Sequence, residues 1–140
     1  MPGPGMPAAS KAGGMYVAFP DVCFTPVPPP VVQVPIPYPN LAQVASTSGA
    51  VDKVLIENKE TVVEGSKVPS SSGDEAGSKG GVVSGKNMDQ VQPKTFSSKV
   101  FAKGKKVVML TSMSAHNGSN ANMPAGVMAV PSQVKVIVGL

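Results

Sequence analysis

Apolar residues fall in short runs along the chain, and no helical stripe recurs at positions three and four apart. Residues 52–68, DKVLIENKETVVEGSKV, contain two apolar runs on either side of polar residues 57–59. Residues 97–113, SSKVFAKGKKVVMLTSM, repeat this pattern around the Lys-Gly pair at 103–104. Such runs predict two β-hairpins, since a Lys-Gly pair suits a tight turn. The run SQVKVIVGL at 132–140 predicts one more strand.

The other segments predict little regular structure. MYVAF at residues 15–19 is a short strand candidate that Pro20 closes, and NLAQVAS at residues 40–46 is at most one helical turn. Residues 69–93 are rich in Gly, Ser and polar residues and are typical of loops. The predicted fold class is therefore mainly β, built from short β-hairpins with little helix.

Residues 19–40, FPDVCFTPVPPPVVQVPIPYPN, form a proline-rich tract. Each proline fixes its own φ and biases the residue before it towards extended geometry. We expect a stiff extended segment that needs no ladder hydrogen bonds and lies across the hairpins, covering them with its Val, Ile and Tyr side chains. A polyproline ligand for an SH3-like groove is the alternative, although the tract has no flanking arginine.

An internal repeat links the predicted strands. Residues 53–63 align without gaps on residues 99–109, and residues 135–140 align with the opening of both. One interpretation is that β proteins simply reuse Lys-Val strands. The other is that three similar units surround a pseudo-threefold axis, so that one chain can dock on a symmetric trimer.

Composition sets the domain organisation. The 140 residues suit one domain, and a hydrophobic content of 41% argues against disorder despite 15 Gly and 15 Pro. The opening MPGPGMPAASKAGG has no helical or strand period. We therefore predict a flexible N-terminal arm at residues 1–14 and a single domain at residues 15–140.

Charge and cysteine content bear on partners and location. The net charge of +4 comes from scattered lysines without any arginine, so we expect no nucleic-acid partner. A single cysteine forms no internal disulfide, and there is neither a secretory signal nor an apolar run long enough to cross a membrane. We expect the protein to fold in the bacterial cytoplasm and to leave the cell only on another machine.

Several segments together resemble one family. They are AFPDVCFTPVPPP and VPIPYPNLAQ within 18–43, SSGDEAGSKGGVVSG at 71–85, KVFAKGKKVVMLTSM at 99–113 and VPSQVKVIVG at 130–139. In this order they resemble the PAAR-like spike-tip proteins of type VI secretion and related contractile injection systems. The Pro-Ala-Ala-Arg tetrapeptide that names the broader family is missing from the sequence.

The resemblance implies a small cone whose base caps a trimeric VgrG-like spike and sharpens it for membrane puncture and effector delivery. The target membrane is then contacted only during puncture. Because the chain stops at the last predicted strand, we expect no fused toxin. The alternative is an adaptor that recruits a separate toxin effector through its loops or its N-terminal arm.

The base strands are the expected contacts with the spike, because exposed strand edges and alternate apolar side chains can pair with a partner's sheets. The predicted partner-binding residues are Val54, Leu55, Ile56, Val100, Phe101, Ala102, Val136, Ile137 and Val138.

The chemistry is less well defined. The broader family carries zinc near its point, held mostly by His with one Cys, and here the resemblance offers Cys23 and His116, with Asp21 or Asp74 as oxygen donors. A structural zinc site needs four ligands, so this set is incomplete. Alternatively, Cys23 is a small buried residue and His116 caps a turn. A Cys-His hydrolase lacks a local feature that would activate the thiol. We therefore predict no catalytic residue, no enzyme and no cofactor other than this zinc.

Overall fold

The computed structural model describes residues 5–27, 32–118 and 120–139, and it is mainly β, as predicted. The strands of this part are β1 (Gly5–Pro7), β2 (Met15–Val27), β3 (Val32–Gln43), β4 (Val51–Ile56), β5 (Lys59–Thr61), β6 (Gln92–Pro93), β7 (Phe101–Ala102), β8 (Lys105–Lys106), β9 (Met113–His116), β10 (Met123–Val130) and β11 (Ile137–Gly139). A short 3-10 turn covers Val44–Ser46. Within these ranges, no helix has the length and apolar character that a membrane span requires.

Three two-stranded antiparallel sheets, here called the ribbons, match the repeated sequence units. The first ribbon is β4–β5, the second is β7–β8, and the third is β1–β11. The first two are the predicted hairpins, and their two-residue turns have positive φ at Glu57, Asn58, Lys103 and Gly104. The third ribbon has no turn of its own, because it pairs the two ends of the chain.

Three chain segments meet in a closed ring of backbone hydrogen bonds. They are residues 7–11, 60–64 and 106–110. The amide of Ala9 donates to the carbonyl of Val108 (2.7 Å), that of Val108 to Val62 (3.0 Å), and that of Val62 to Ala9 (3.0 Å). Each segment therefore donates one bond and accepts one in cyclic order.

A second set of backbone hydrogen bonds joins the same three segments in the opposite cyclic order. They run from the amide of Lys11 to the carbonyl of Glu60 (2.9 Å), from Glu64 to Lys106 (2.8 Å) and from Leu110 to Pro7 (2.8 Å). The sequence alignment of 53–63 with 99–109 places Val62 opposite Val108, which are equivalent positions in the ring. The predicted pseudo-threefold arrangement is therefore confirmed by its hydrogen-bond pattern.

Two hydrophobic clusters lie on this ring. The ribbon cluster takes buried residues from all three ribbons and consists of Ala8, Val51, Ile56, Val63, Ala102, Val107, Met109 and Val138. The central cluster consists of Ala9, Tyr16, Ala42, Val44, Val62, Val68, Val91, Val108 and Met128. Successive ring residues contribute to different clusters because side chains alternate along an extended chain. Burial of these side chains is the main stabilising contribution.

The N-terminal segment differs from the prediction. Residues 5–14 were expected in a flexible arm, but β1 pairs with β11, and Ala8, Ala9 and Ser10 are fully buried. The arm is therefore corrected for residues 5–10. Their small side chains fit into the ring, which backbone hydrogen bonds hold together. Because these residues do not alternate between apolar and polar, the sequence did not indicate a strand. Residues 5–10 are therefore not a free segment that could recruit a toxin, as the adaptor alternative requires.

The proline-rich tract also differs from the prediction. β2 continues beyond Pro20 to Val27 and pairs with β3 along its length, with Pro35 and Pro37 in the register. The tract is therefore part of a ladder, and β3 is an edge strand of the five-stranded sheet β3-β2-β10-β9-β6. An edge strand tolerates proline, because one of its sides needs no amide donor. The polyproline alternative is centred on residues that include 28–31, which lie outside the described part.

Candidate functional site

The three ribbons present one exposed apolar side chain each at equivalent positions. Leu55, Phe101 and Ile137 are 57%, 54% and 54% exposed, and the repeat alignment places all three in the same register. We call these three residues the ribbon face. Val54 and Val136, the residues before two of them, are also exposed. Large apolar side chains at threefold-related positions are typical of an interaction surface.

The other predicted base residues point elsewhere. Ile56, Ala102 and Val138 are buried in the ribbon cluster, and Val100 packs against that cluster as a half-buried residue. Strand alternation explains this, because neighbouring side chains face opposite sides of a ribbon. These four positions therefore hold the ribbons together, and only the exposed positions are available to a partner.

A second site is a buried group of polar side chains, here called the polar cluster. Its members are Asp21, Cys23, Asn40, Asp74, His116, Asn117 and Asn122, and all of them are buried. β2, β3, the loop before β6 and the end of β9 with the turn after it supply these residues. Burying two acidic groups is costly unless donors surround them. The hydrogen bonds of the cluster therefore decide whether it is stable.

Side-chain amides supply those donors. Asn40 Nδ2 donates to the carboxylates of Asp21 (2.8 Å) and Asp74 (3.2 Å), and Asn117 Nδ2 donates to the same two (3.1 and 3.0 Å). Asn122 Nδ2 donates to Asp21 and to the carbonyl of Val22.

Burial shifts the titration of three groups. Desolvation, followed by the hydrogen bond and the charge of Asp21, raises the pKa of Asp74 to about 6. Its Oδ1 has no hydrogen-bond partner, so a proton can reside there. Desolvation also raises the pKa of Cys23 to about 12, with smaller contributions from the two acids, and lowers the pKa of His116 to about 4. At neutral pH the thiol is protonated and the imidazole is neutral.

The structure brings Cys23 and His116 into the same cluster, but it does not arrange them as metal ligands. His116 Nδ1 bonds Asn40 Oδ1 (2.8 Å), and its Nε2 bonds Ser114 Oγ (2.7 Å), so both ring nitrogens are engaged. Donor atoms of Cys23 and the two acids lie within 4.8 Å of one another. One sulfur and two carboxylates with amide hydrogens between them do not fit a structural zinc, which prefers N and S ligands.

Sequence reasoning did not predict that the three asparagines of the polar cluster would donate hydrogen bonds to the two acids. Residues 40–46 were predicted to form at most one helical turn, but Asn40 lies in β3 and the 3-10 turn begins at Val44. Asn117 and Asn122 lie in a polar stretch that had no periodic signal. Isolated asparagines are common in turns, so only the spatial arrangement reveals their shared role.

A pseudo-threefold ring of ribbons that carries one exposed apolar residue on each ribbon defines a small β domain built from short hairpins. Residues 14–124 match the family described as toxin PAAR-like domain, and this match covers most of the chain. The chain therefore belongs to the toxin PAAR-like domain family, as the resemblance implied. Membership associates it with type VI secretion.

The chain is also similar to a named toxin. It is 36% identical over 124 residues to the DNase toxin Tse7 of Pseudomonas aeruginosa, and the match covers 85% of this chain but only 32% of the relative. The chain thus corresponds to about a third of that protein. No solved structure matches the chain.

This relative corrects two predictions. The prediction that the protein is not an enzyme is wrong, because a relative that shares its PAAR-like part is named as a DNase toxin. The exclusion of nucleic acid as a partner loses its basis for the same reason. Both predictions relied on residues within this chain, and the activity in the relative's name belongs to a protein three times as long.

Proposed function

We propose that this chain is the spike-tip domain of a type VI secretion effector, seated through its ribbon face on a trimeric VgrG-like spike. The protein is made in the bacterial cytoplasm, assembled on the secretion apparatus and then secreted or injected. At the end of the spike it forms the point that meets the target membrane during puncture.

The observation that carries this proposal is the cyclic ring beneath three equivalent apolar side chains. A trimeric spike end offers three identical surfaces around its axis, and a monomer can match all three only if it repeats its own contacts. Leu55, Phe101 and Ile137 meet that requirement. Their burial against the spike supplies the hydrophobic contribution, and free ribbon edges supply main-chain pairing.

The test is binding of the purified chain to an immobilised trimeric spike. Leu55→Asp, Phe101→Asp and Ile137→Asp should each lower affinity by about tenfold or more, because a charge replaces an apolar contact at the interface. The three losses should be similar, since the positions are equivalent. Val83→Asp is the matched control, as Val83 is 59% exposed and lies outside the ribbons. Undiminished binding of the triple variant would refute the docking face.

A second proposal concerns the cargo, and the similarity to a DNase toxin favours it. We infer that the protein takes part in delivering a DNA-degrading toxin. In a competition between bacterial strains, DNA breakage in the target cells should depend on the attacker's copy of this protein. The triple ribbon-face variant should abolish that breakage, whereas Val83→Asp should preserve it. Unchanged breakage after removal of the protein would refute this role.

A further inference from the structure

The side-chain amide of Asn117 lies between the residues that would otherwise be the ligands of a metal ion. Its Nδ2 is 3.1 Å from Asp21 Oδ2, 3.0 Å from Asp74 Oδ2 and 3.6 Å from Cys23 Sγ. These three neighbours are the group whose donor atoms lie within 4.8 Å of one another. The nitrogen thus takes the central position of that group at hydrogen-bond distances.

The backbone and the hydrogen bonds around Asn117 hold the amide in this orientation. Asn117 Oδ1 accepts a hydrogen bond from the amide of Asp89 (3.2 Å), which turns the NH₂ group towards the acids. The residue has φ of 64°, a left-handed conformation that asparagine adopts more readily than most residues. Both the turn and the cluster therefore favour an asparagine at this position.

The neighbouring donors support the same arrangement. Two further amides, from Asn40 and Asn122, also direct hydrogens at the carboxylate of Asp21. Amide hydrogens carry partial positive charge, so they compensate buried carboxylates without a cation. A metal ion in this position would face those hydrogens and would also have to displace Asn117 Nδ2.

We propose that the polar cluster is a metal-independent clamp, in which the Asn117 amide replaces the zinc that the wider spike-tip family resemblance implies. The clamp joins β2 through Asp21 and Cys23, the loop before β6 through Asp74, and the turn after β9 through Asn117. Three segments that are distant in sequence are thereby fixed at one point by hydrogen bonds alone.

The first test uses the wild-type chain. Elemental analysis of protein purified without added chelator should find far less than one zinc per chain. Neither a chelator nor added zinc should change the melting temperature by more than about 1 °C, since a ligand that does not bind the native state does not stabilise it. Cobalt should produce no thiolate charge-transfer band from Cys23. Stoichiometric zinc, or a clear loss of stability on chelation, would overturn the proposal.

The second test converts the clamp into a metal site. Asn117→Asp keeps the shape and tolerates the left-handed backbone, but it replaces the donor with a third carboxylate. We expect a melting temperature lower by about 5 °C or more, because buried like charges repel, with recovery on adding zinc. Asn120→Asp is the matched control, as Asn120 is exposed in the same turn. An equal rise in the melting temperatures of wild type and Asn117→Asp on adding zinc would contradict the clamp. If the variant does not fold, the wild-type measurements still test the proposal.

Discussion

Two regions of the molecule join chain segments that are distant in sequence, and they do so in different ways. One is the ring with its ribbons, and the other is the polar cluster. In the ring, three extended segments exchange backbone hydrogen bonds, and most of their buried side chains are small or apolar. In the polar cluster, side chains of different types meet, and each has its own hydrogen-bond partners. The ring therefore tolerates changes of apolar side chain that preserve volume, whereas the cluster depends on individual functional groups.

This difference extends to symmetry. The two acids of the cluster accept hydrogen bonds from three asparagine side chains, and these bonds do not repeat in cyclic order as those of the ring do. A threefold docking partner requires equivalence only at the ribbon face. The polar cluster does not follow the cyclic hydrogen-bond pattern of the ring.

The largest effect is expected from a charge in the central cluster. Val108 is fully buried, and its backbone is part of the ring. Val108→Asp should lower the free energy of unfolding by more than about 4 kcal/mol, because the carboxylate has no partner among apolar neighbours. Urea unfolding measures this, with Val83→Asp as the exposed counterpart. A loss below about 1 kcal/mol would show that the ring region is not the core that the structure describes.

The next largest effect is expected from a polar member of the cluster. Asn40 links the imidazole of His116 to Asp21 and Asp74. Asn40→Leu keeps the number and branching of the side-chain heavy atoms but leaves three buried groups with fewer partners, so we expect a loss of about 3 kcal/mol. Asn120→Leu, at an exposed site, should cost far less. Similar unfolding curves for the two variants would mean that the cluster contributes little.

The pH dependence of stability separates two members of the cluster. His116 has a lowered pKa of about 4, so its contribution is present above the unfolded value of 6.5 and is lost as pH falls towards 4. Asp74 has a raised pKa of about 6, so its contribution is present below 3.8 and is lost as pH rises through 6. The two trends oppose each other between pH 4 and pH 6, and wild-type stability should change little there.

Single substitutions should reveal each trend. Asp74→Asn should leave stability rising by about 2 kcal/mol from pH 4 to pH 6.5, and His116→Gln should leave it falling by a similar amount. Unfolding titrations at closely spaced pH values measure both slopes. If stability changes with pH in the same direction in both variants, the prediction that His116 and Asp74 have opposite effects is wrong.

The smallest effect is expected in a ribbon turn. Gly104 has φ of +79°, and a Cβ there would meet no atom within 4 Å. Gly104→Ala should therefore cost only about 1 kcal/mol, from the left-handed backbone alone. Gly126→Ala is the contrasting variant, since its Cβ would lie 2.5 Å from the ring of His116. The melting temperature of Gly126→Ala should be well below that of Gly104→Ala. The reverse order would contradict the rigid placement of His116 in the polar cluster.

The sequence predicted the parts of the fold that repeat. The hairpins at residues 52–68 and 97–113 and their threefold relation follow from apolar runs, polar turns and an alignment without gaps. β1 was missed because Gly5–Pro7 pairs with residues at the other end of the chain, and no local pattern records such a contact. The edge strand β3 was missed because its prolines argue against a ladder in general, although an edge position removes that objection.

The candidate sites were predictable to different degrees. Leu55, Phe101 and Ile137 follow from the repeat, but strand alternation alone separates them from the buried residues beside them. Cys23 and His116, with Asp21 or Asp74 as oxygen donors, were predicted as an incomplete zinc-ligand set, and the structure places all four in the polar cluster. The three amides between those groups could not be predicted, because their role depends on distances between segments that only folding brings together.

The pairing of β1 with β11 also affects biosynthesis. During translation Gly5–Pro7 emerges well before its partner strand Ile137–Gly139. Until then the third ribbon cannot form, and the early strand has an unpaired edge. A chain that has lost either of these two strands therefore lacks the third ribbon, which holds one of the three exposed apolar positions of the ribbon face.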